Sequence, residues 1–291
     1  MNPWVGDQKG LLHMLWYVTV MLFDRVLMPL DLREGGEEVA DCSMQLLGHG
    51  MKEVFLLHVV QQDGPQEKLE VVAERMRAQG LSVRTLVVKG NDPASIIAKE
   101  AKKLKATVIV MGSSGKTKGQ EFFIGSVSLG VIRTSQVPIL IARMAVKNGE
   151  NRLSACPMLL ESTLVCVDLE TTTQPVIKVA EDLCAVGAKN MTLFHVIPSS
   201  KVKLTNDSVF QQRKAELEEL TKKVSKKDCW VDAHIHYGTY AYNIMEGARE
   251  INATLIVLGN HGKSLFHTMA LGSTSDEVIR QSPIAVLIVP I

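Results

Sequence analysis

The chain repeats itself, and this constrains its fold more than any other feature. ATVIVMGSSG, from Ala106 to Gly115, aligns with ATLIVLGNHG, from Ala253 to Gly262, with six of ten residues identical. GSVSLGVIR (Gly125 to Arg133) aligns with GSTSDEVIR (Gly272 to Arg280), again 147 residues on. Further upstream, LMPLD ending at Asp31 pairs with LVCVD ending at Asp168, and LLHVV pairs with LFHVI, both at an offset of 137. The difference of ten places an insertion in the second copy between His195 and Gly238. A chain of 291 residues built this way is two copies of one domain. They span residues 21–147 and 157–291, with a polar, Gly-containing linker over 148–156.

Each copy has the same grammar. Short runs rich in Val, Ile and Leu, in the first copy RVLMPLDL, EVFLLHVV, LSVRTLVV, ATVIVMG and VPILIAR, alternate with longer amphipathic stretches. Continuous rather than alternating hydrophobicity marks strands buried on both faces, as in a parallel sheet. The stretches between them read as helices. One has Asp92 at its N-cap, Pro93 at its first position, and Ile96, Ile97, Ala101 and Leu104 along one face. Strand and helix in alternation, with right-handed crossovers, predict an α/β domain with five parallel strands and helices on both faces.

Composition narrows the class of function. With 32 Lys plus Arg against 31 Asp plus Glu, the chain offers no global attraction to nucleic acid or to an anionic membrane. Five cysteines, an odd number without a C-x-x-C pair, argue against a disulfide scaffold and for a cytoplasmic location. The run LLHMLWYVTVMLF, Leu11 to Phe23, is the one stretch resembling a targeting signal. It is short of the roughly 20 apolar residues a spanning helix needs, and no small-residue cleavage site follows it. Residues 1–20 therefore read as an extension outside the fold, with stable membrane insertion not expected and a weak interfacial anchor as the alternative.

In sheets of this kind ligands bind beyond the carboxyl ends of the strands, where the strand order reverses. An acid ends the first strand of each copy, Asp31 and Asp168. The fourth strand runs into a glycine loop, Gly112-x2-Gly115-x9-Gly125-Ser126, and again Gly259-x2-Gly262-x9-Gly272-Ser273. Glycines let backbone N–H groups approach a ligand, and the helix that follows favours an anion at its N-terminus. The competing reading makes each glycine a turn and Ser126 and Ser273 ordinary N-caps. An acid for a ribose, with amides and a hydroxyl for phosphate, suits a nucleotide.

That pattern, G-x2-G-x9-G-[S/T] after a fourth strand with an early strand-end Asp, resembles the nucleotide-binding signature of the universal stress protein family, in its tandem form. The resemblance covers almost all of the chain beyond Met21. It implies a Rossmann-like or flavodoxin-like fold of strand order 3-2-1-4-5. It also implies the contacts of the family's ATP-binding branch. Asp31 and Asp168 lie by adenine and ribose, and Val59 and Val196 meet the base. Gly112, Gly115, Gly125 and Ser126, with Gly259, Gly262, Gly272 and Ser273, hold ribose and phosphates. The implied ligand is ATP, or AMP or ADP, with magnesium as a candidate companion ion. Single-domain members resemble dimers paired through their last strands, which implies pairing of PILIAR with PIAVLIVP inside this chain. A homodimer of the whole chain and an unidentified protein partner are further expectations.

Other residues carry less. His58 and His195 read as core histidines bonded to backbone. His234 and His236 share one face of a strand, without a third ligand for zinc. Lys116 and Lys263 divide between solvated surface and phosphate contact. The mixed-charge run containing Lys214, Glu216, Glu218, Glu219, Lys222 and Lys223 reads as an exposed helix face. Copy two looks two residues shorter before Pro283 than copy one before Pro138. The sequence has no Walker loop, nucleophile elbow or H-E-x-x-H, so a binding protein of the stress response is expected rather than an enzyme. A scaffold of the same fold without nucleotide, and a slow ATP hydrolase, are the alternatives.

Overall fold

A computed structural model of the chain describes residues 21–32, 36–62, 66–113, 124–146, 152–154, 158–170, 173–199, 207–261 and 271–291. The N-terminal extension, Gly115, Gly262, Lys116 and Lys263 lie outside the described residues. Within them, Leu22 and Phe23 are buried in the core.

The first copy contributes β1 (Arg25–Pro29), α1 (Gly36–Ser43), β2 (Glu53–Val60), α2 (Gln66–Arg77), β3 (Ser82–Lys89), α3 (Pro93–Lys103), β4 (Val108–Gly112), α4 (Ser126–Thr134) and β5 (Ile139–Ala142). A short antiparallel hairpin, β6 (Met144–Val146) with β7 (Arg152–Ser154), lies at the joint. The second copy contributes β8 (Ser162–Cys166), α5 (Thr173–Ala185), β9 (Asn190–Ile197), α6 (Asp207–Val224), β10 (Trp230–Tyr237), α7 (Tyr240–Glu250), β11 (Leu255–Gly259), α8 (Ser273–Gln281) and β12 (Ala285–Val289). Local chemistry sets the boundaries where the sequence predicts. Asp92 caps α3 by accepting from Ser95 N–H at 3.2 Å, with Pro93 at the first position.

Each copy is a parallel sheet of order 3-2-1-4-5, and the two join into one ten-stranded sheet, β10-β9-β8-β11-β12-β5-β4-β1-β2-β3. The junction is antiparallel: Ile139 faces Ile288, Leu140 faces Leu287 and Ile141 faces Val286. Every described residue of β5 and β12 is buried. An apolar edge strand left open is a template for aggregation, and here each edge covers the other. Residues from both copies form a continuous apolar layer on either face of the sheet. Side chains alternate between the layers along β5, with Ile139 and Ile141 in one and Leu140 in the other.

Two readings of the sequence need correction. Copy two has no deletion before its last strand. Ser135 and Ser282 end α4 and α8 at an offset of 147, and Gly112 beside Ala142 matches Gly259 beside Val289 at the same offset. Pro138 and Pro283 stand at different places in that frame, so aligning prolines misled. Nor are the cysteines all free: Cys184 and Cys229 form a disulfide with their Cα atoms 5.4 Å apart. They lie at the end of α5 and just before β10. The bond from Trp230 N–H to the Lys189 carbonyl (2.8 Å) holds those two segments side by side.

Candidate nucleotide site

Parallel register brings the singled-out residues to one level at the carboxyl end of each sheet. Pro29 faces Leu57, so two residues later Asp31 is level with Val59. Cys166 faces Phe194, which sets Asp168 level with Val196. The two valines lie inside the second strands, as their penultimate residues. Both pack into the layer under α3 and α4, or α7 and α8. Asp31 and Asp168 are half-buried. In copy two, the Asp168 carboxylate accepts from Glu170 N–H at 3.0 Å and from the Thr173 hydroxyl at 2.8 Å, which ties the acid to the start of α5.

His58 and His195 fix this level. Each Nδ1 stands 2.8 Å from the carbonyl just before the strand-end acid, Leu30 and Val167 respectively. A carbonyl only accepts, so Nδ1 carries the proton and donates. These are positioning histidines bonded to backbone, in matching places. His234 and His236 do not converge: each lies near its own carboxylate, Asp232 at 3.4 Å and Glu250 at 3.3 Å. Among the described residues no three His, Cys, Asp or Glu side chains gather as a metal site.

The base of the glycine loop is clamped identically in both copies. Gly125 N–H donates to the Ser113 carbonyl at 2.7 Å, and Gly272 N–H to the Asn260 carbonyl at 2.9 Å. The Ser128 hydroxyl donates to the Gly112 carbonyl at 3.1 Å, and that of Ser275 to the Gly259 carbonyl at 2.7 Å. Close approach explains the first glycine of each motif. A Cβ on Gly112 would stand 3.0 Å from Val39, and one on Gly259 would stand 3.2 Å from the His261 carbonyl.

Gly125 and Gly272 are themselves the N-caps of α4 and α8, so Ser126 and Ser273 occupy the first helical position and are not caps. With φ of −69° and −60° and extended ψ, both glycines adopt a conformation open to any residue. Backbone strain therefore gives no reason for glycine. The absence of a side chain does: neither helix has a side-chain cap bond, and its first-turn N–H groups point outward where a helix attracts an anion.

The two sites differ around this shared frame. In copy two, Asn260 is buried, its amide oxygen accepts from Ile291 N–H at 3.0 Å, and Ile291 packs on Gly259. The insertion also does more than present charge to solvent. Lys214, Glu218, Glu219 and Lys222 are exposed, as expected. Arg213, however, reaches back to the Leu169 carbonyl at 3.3 Å while pairing with Glu216 at 2.7 Å. Leu169 follows the strand-end acid and has a φ of 55°, so α6 braces a strained turn of the candidate site. At 18 residues against 12 for α2, α6 has the length to do so. Arg213 was missed in the sequence because one more cation in a mixed-charge run carries no signal.

The universal stress protein family profile matches residues 61–143 and 161–290. A universal stress protein of Methanocaldococcus jannaschii is 26% identical over 146 residues, covering 43% of this chain and 85% of the relative. One from Bacillus subtilis is 24% identical over 149 residues, 42% of this chain and all of the relative. The crystal structure of a universal stress protein from Archaeoglobus fulgidus superposes with a TM-score of 0.69 at 25% identity, over 92% of this chain and 98% of that one.

Proposed function

The chain belongs to the universal stress protein family in tandem form, and we propose that it binds adenine nucleotide, ATP or its ADP and AMP relatives, as a sensor or regulator in the stress response. The observation that carries this reading is the pair of uncapped helix N-termini at Gly125 and Gly272, each held beside a strand-end acid by an identical clamp. The N–H groups of the first turn suit phosphate, and Asp31 and Asp168 suit ribose hydroxyls. Val59 and Val196 offer apolar contact to a base. Magnesium, in this reading, arrives with the phosphates as their counter-ion.

We read the protein as a binder rather than an enzyme. The Nδ1 bonds of His58 and His195 to backbone carbonyls orient both rings, and the sequence supplies no Walker loop or nucleophile elbow to work with them. None of the described helices is long and apolar enough to cross a membrane. Nucleotide extracted from the purified protein and identified by mass spectrometry tests the proposal, followed by calorimetric titration with ATP. Adenine nucleotide recovered, or saturable binding at one or two sites, is the expected result. No binding of ATP, ADP or AMP under any condition refutes it and favours a scaffold. Conversion of loaded ATP to ADP refutes the non-enzymatic part alone.

A further inference from the structure

Arg143 directly follows β5 and is only 4% exposed. Burial pulls its pKa down to about 10, so the guanidinium stays charged at neutral pH. One N–H, on Nη2, donates to the Ile279 carbonyl of α8 in the other copy. Its Nε and Nη1 are buried and make no hydrogen bond among the described residues. No carboxylate pairs with it there.

Its place relates this charge to the first site. Gly112 faces Ala142, so Arg143 is level with Ser113, whose carbonyl holds the Gly125 N-cap. Alternation along β5 sends Ile139 and Ile141 into the layer under α3 and α4, and Ala142 to the opposite face against Cys42 of α1. Arg143 therefore projects to the face that carries α4. Val131 and Ile132 seat α4 on that face, and Gly125 at its N-terminus bonds to Ser113. The buried cation and the uncapped end of α4 thus share one level and one side of the sheet.

The simpler role is a cap for α8. Ser282 N–H takes the Val278 carbonyl, which leaves Ile279 as an orphan carbonyl in the last turn, where a cation is favoured. That role uses one donor of five. It leaves two buried nitrogens of a charged side chain, Nε and Nη1, unsatisfied, at a cost the fold does not require. The second copy shows that no donor is needed at this position: the residue beyond Val289 is Pro290, which has no N–H.

We infer that Arg143 is an anion-binding residue of the first site, and that its guanidinium donates to the phosphates of a nucleoside di- or triphosphate seated at the N-terminus of α4. The inference rests on the nucleotide reading above and adds its preference: the first site favours polyphosphate, and the second, with Pro290, lacks that cation. A planar guanidinium donates two parallel bonds to a phosphate, which an ammonium cannot reproduce.

The test uses the full chain carrying Gly272→Val, so that the first site is titrated alone, with ATP, ADP and adenosine by calorimetry. The unaltered Arg143 chain is expected to bind ATP and ADP more tightly than adenosine. Arg143→Met should weaken ATP and ADP about tenfold or more while adenosine changes less than about twofold. Arg143→Lys, which keeps the charge and protects against failure to fold, should lose several-fold in the ratio of ATP to adenosine affinity. A cap-only residue would lower the unfolding midpoint and leave that ratio unchanged, and an unchanged ratio in Arg143→Lys overturns the inference. Failure of the wild-type chain to bind either ATP or adenosine instead overturns the nucleotide reading, before any Arg143 variant is compared.

Discussion

Leu140→Ala tests whether the two copies are one cooperative body. Leu140 is 3% exposed and faces Leu287, itself fully buried, across the antiparallel junction. It also lines a small cavity with Cys42, Leu46, Val110, Leu159 and Ala285, drawn from both halves of the chain. Side chains directly opposite in an antiparallel pair lie about 5 Å apart at Cβ and pack on one another. Truncation therefore enlarges an apolar void that rigid strands on both sides cannot close. Leu→Ala changes at such sites cost about 3–5 kcal/mol. At about 2–3 °C per kcal/mol for a chain of this size, the midpoint should fall by about 6–15 °C. Because the void belongs to both copies, calorimetry should show one transition that moves as a whole, and urea unfolding should keep its m-value. The double variant Leu140→Ala/Leu287→Ala should fall short of additivity by about 1 kcal/mol, since the two side chains contact one another. Two transitions, with only the lower one displaced, would refute the shared core, as would strict additivity.

Three further outcomes follow from particular contacts. Gly125→Val and Gly272→Val should each weaken nucleotide binding at their own site by about tenfold or more while unfolding stays cooperative; the φ values of −69° and −60° accommodate valine, so equal affinity in calorimetry would limit these glycines to the turn. Reduction of the Cys184–Cys229 bond, which spans 45 residues, should lower stability by up to about 4 kcal/mol on loop-closure grounds, read as a reductant-dependent urea midpoint whose shift is smaller in Cys184→Ala/Cys229→Ala. Arg213→Ala should release the Leu169 turn and weaken the second site alone, by about two- to tenfold. Burial alone would raise the Glu216 carboxyl, but hydrogen bonds from Arg213 and Gln212 outweigh it and hold the group below its ordinary range. The brace is therefore complete above the ordinary carboxylate pKa of about 4.3, and it is lost as pH falls through the lower folded value. A second-site affinity that does not weaken below pH 4 would count against it.

What the sequence makes legible here is what repetition and periodicity encode. Apolar runs such as EVFLLHVV give strands because both faces are buried, whereas right-handed crossovers admit several strand orders and the order 3-2-1-4-5 is implied by the family resemblance alone. Asp31, Gly112 and Gly125 are visible because their spacing recurs 137 or 147 residues on. Long-range placement is not encoded that way. Cys184 and Cys229 are brought together only because α5 ends where β9 and β10 begin, and neither an odd count nor wide spacing signals that. Ser126 looks like a cap until Gly125 is seen in an extended conformation at the boundary. Arg143 and Arg213 are single cations in unremarkable contexts, and their meaning depends on which carbonyl each can reach.

The duplication also explains why the two sites need not behave alike. A shared sheet requires only that the edge strands match, and β5 and β12 match through Ile139, Leu140 and Ile141 against Ile288, Leu287 and Val286. Residues just past those edges are free of that constraint, and they fall at the carboxyl end of the sheet, beside the glycine loops. There the first copy places a buried arginine that grips α8 of the second, while the second places Pro290 and lets Ile291 close on Gly259 and Asn260. The first site thus gains a cation, and the second gains packing around its glycine loop together with the α6 brace on its acid loop. The antiparallel junction sends these two ends in opposite directions. Each candidate site is therefore flanked by residues that the pairing of the sheet leaves unconstrained, and through Arg143 the end of the first copy's sheet bonds directly to α8, the helix that begins at the second copy's candidate site.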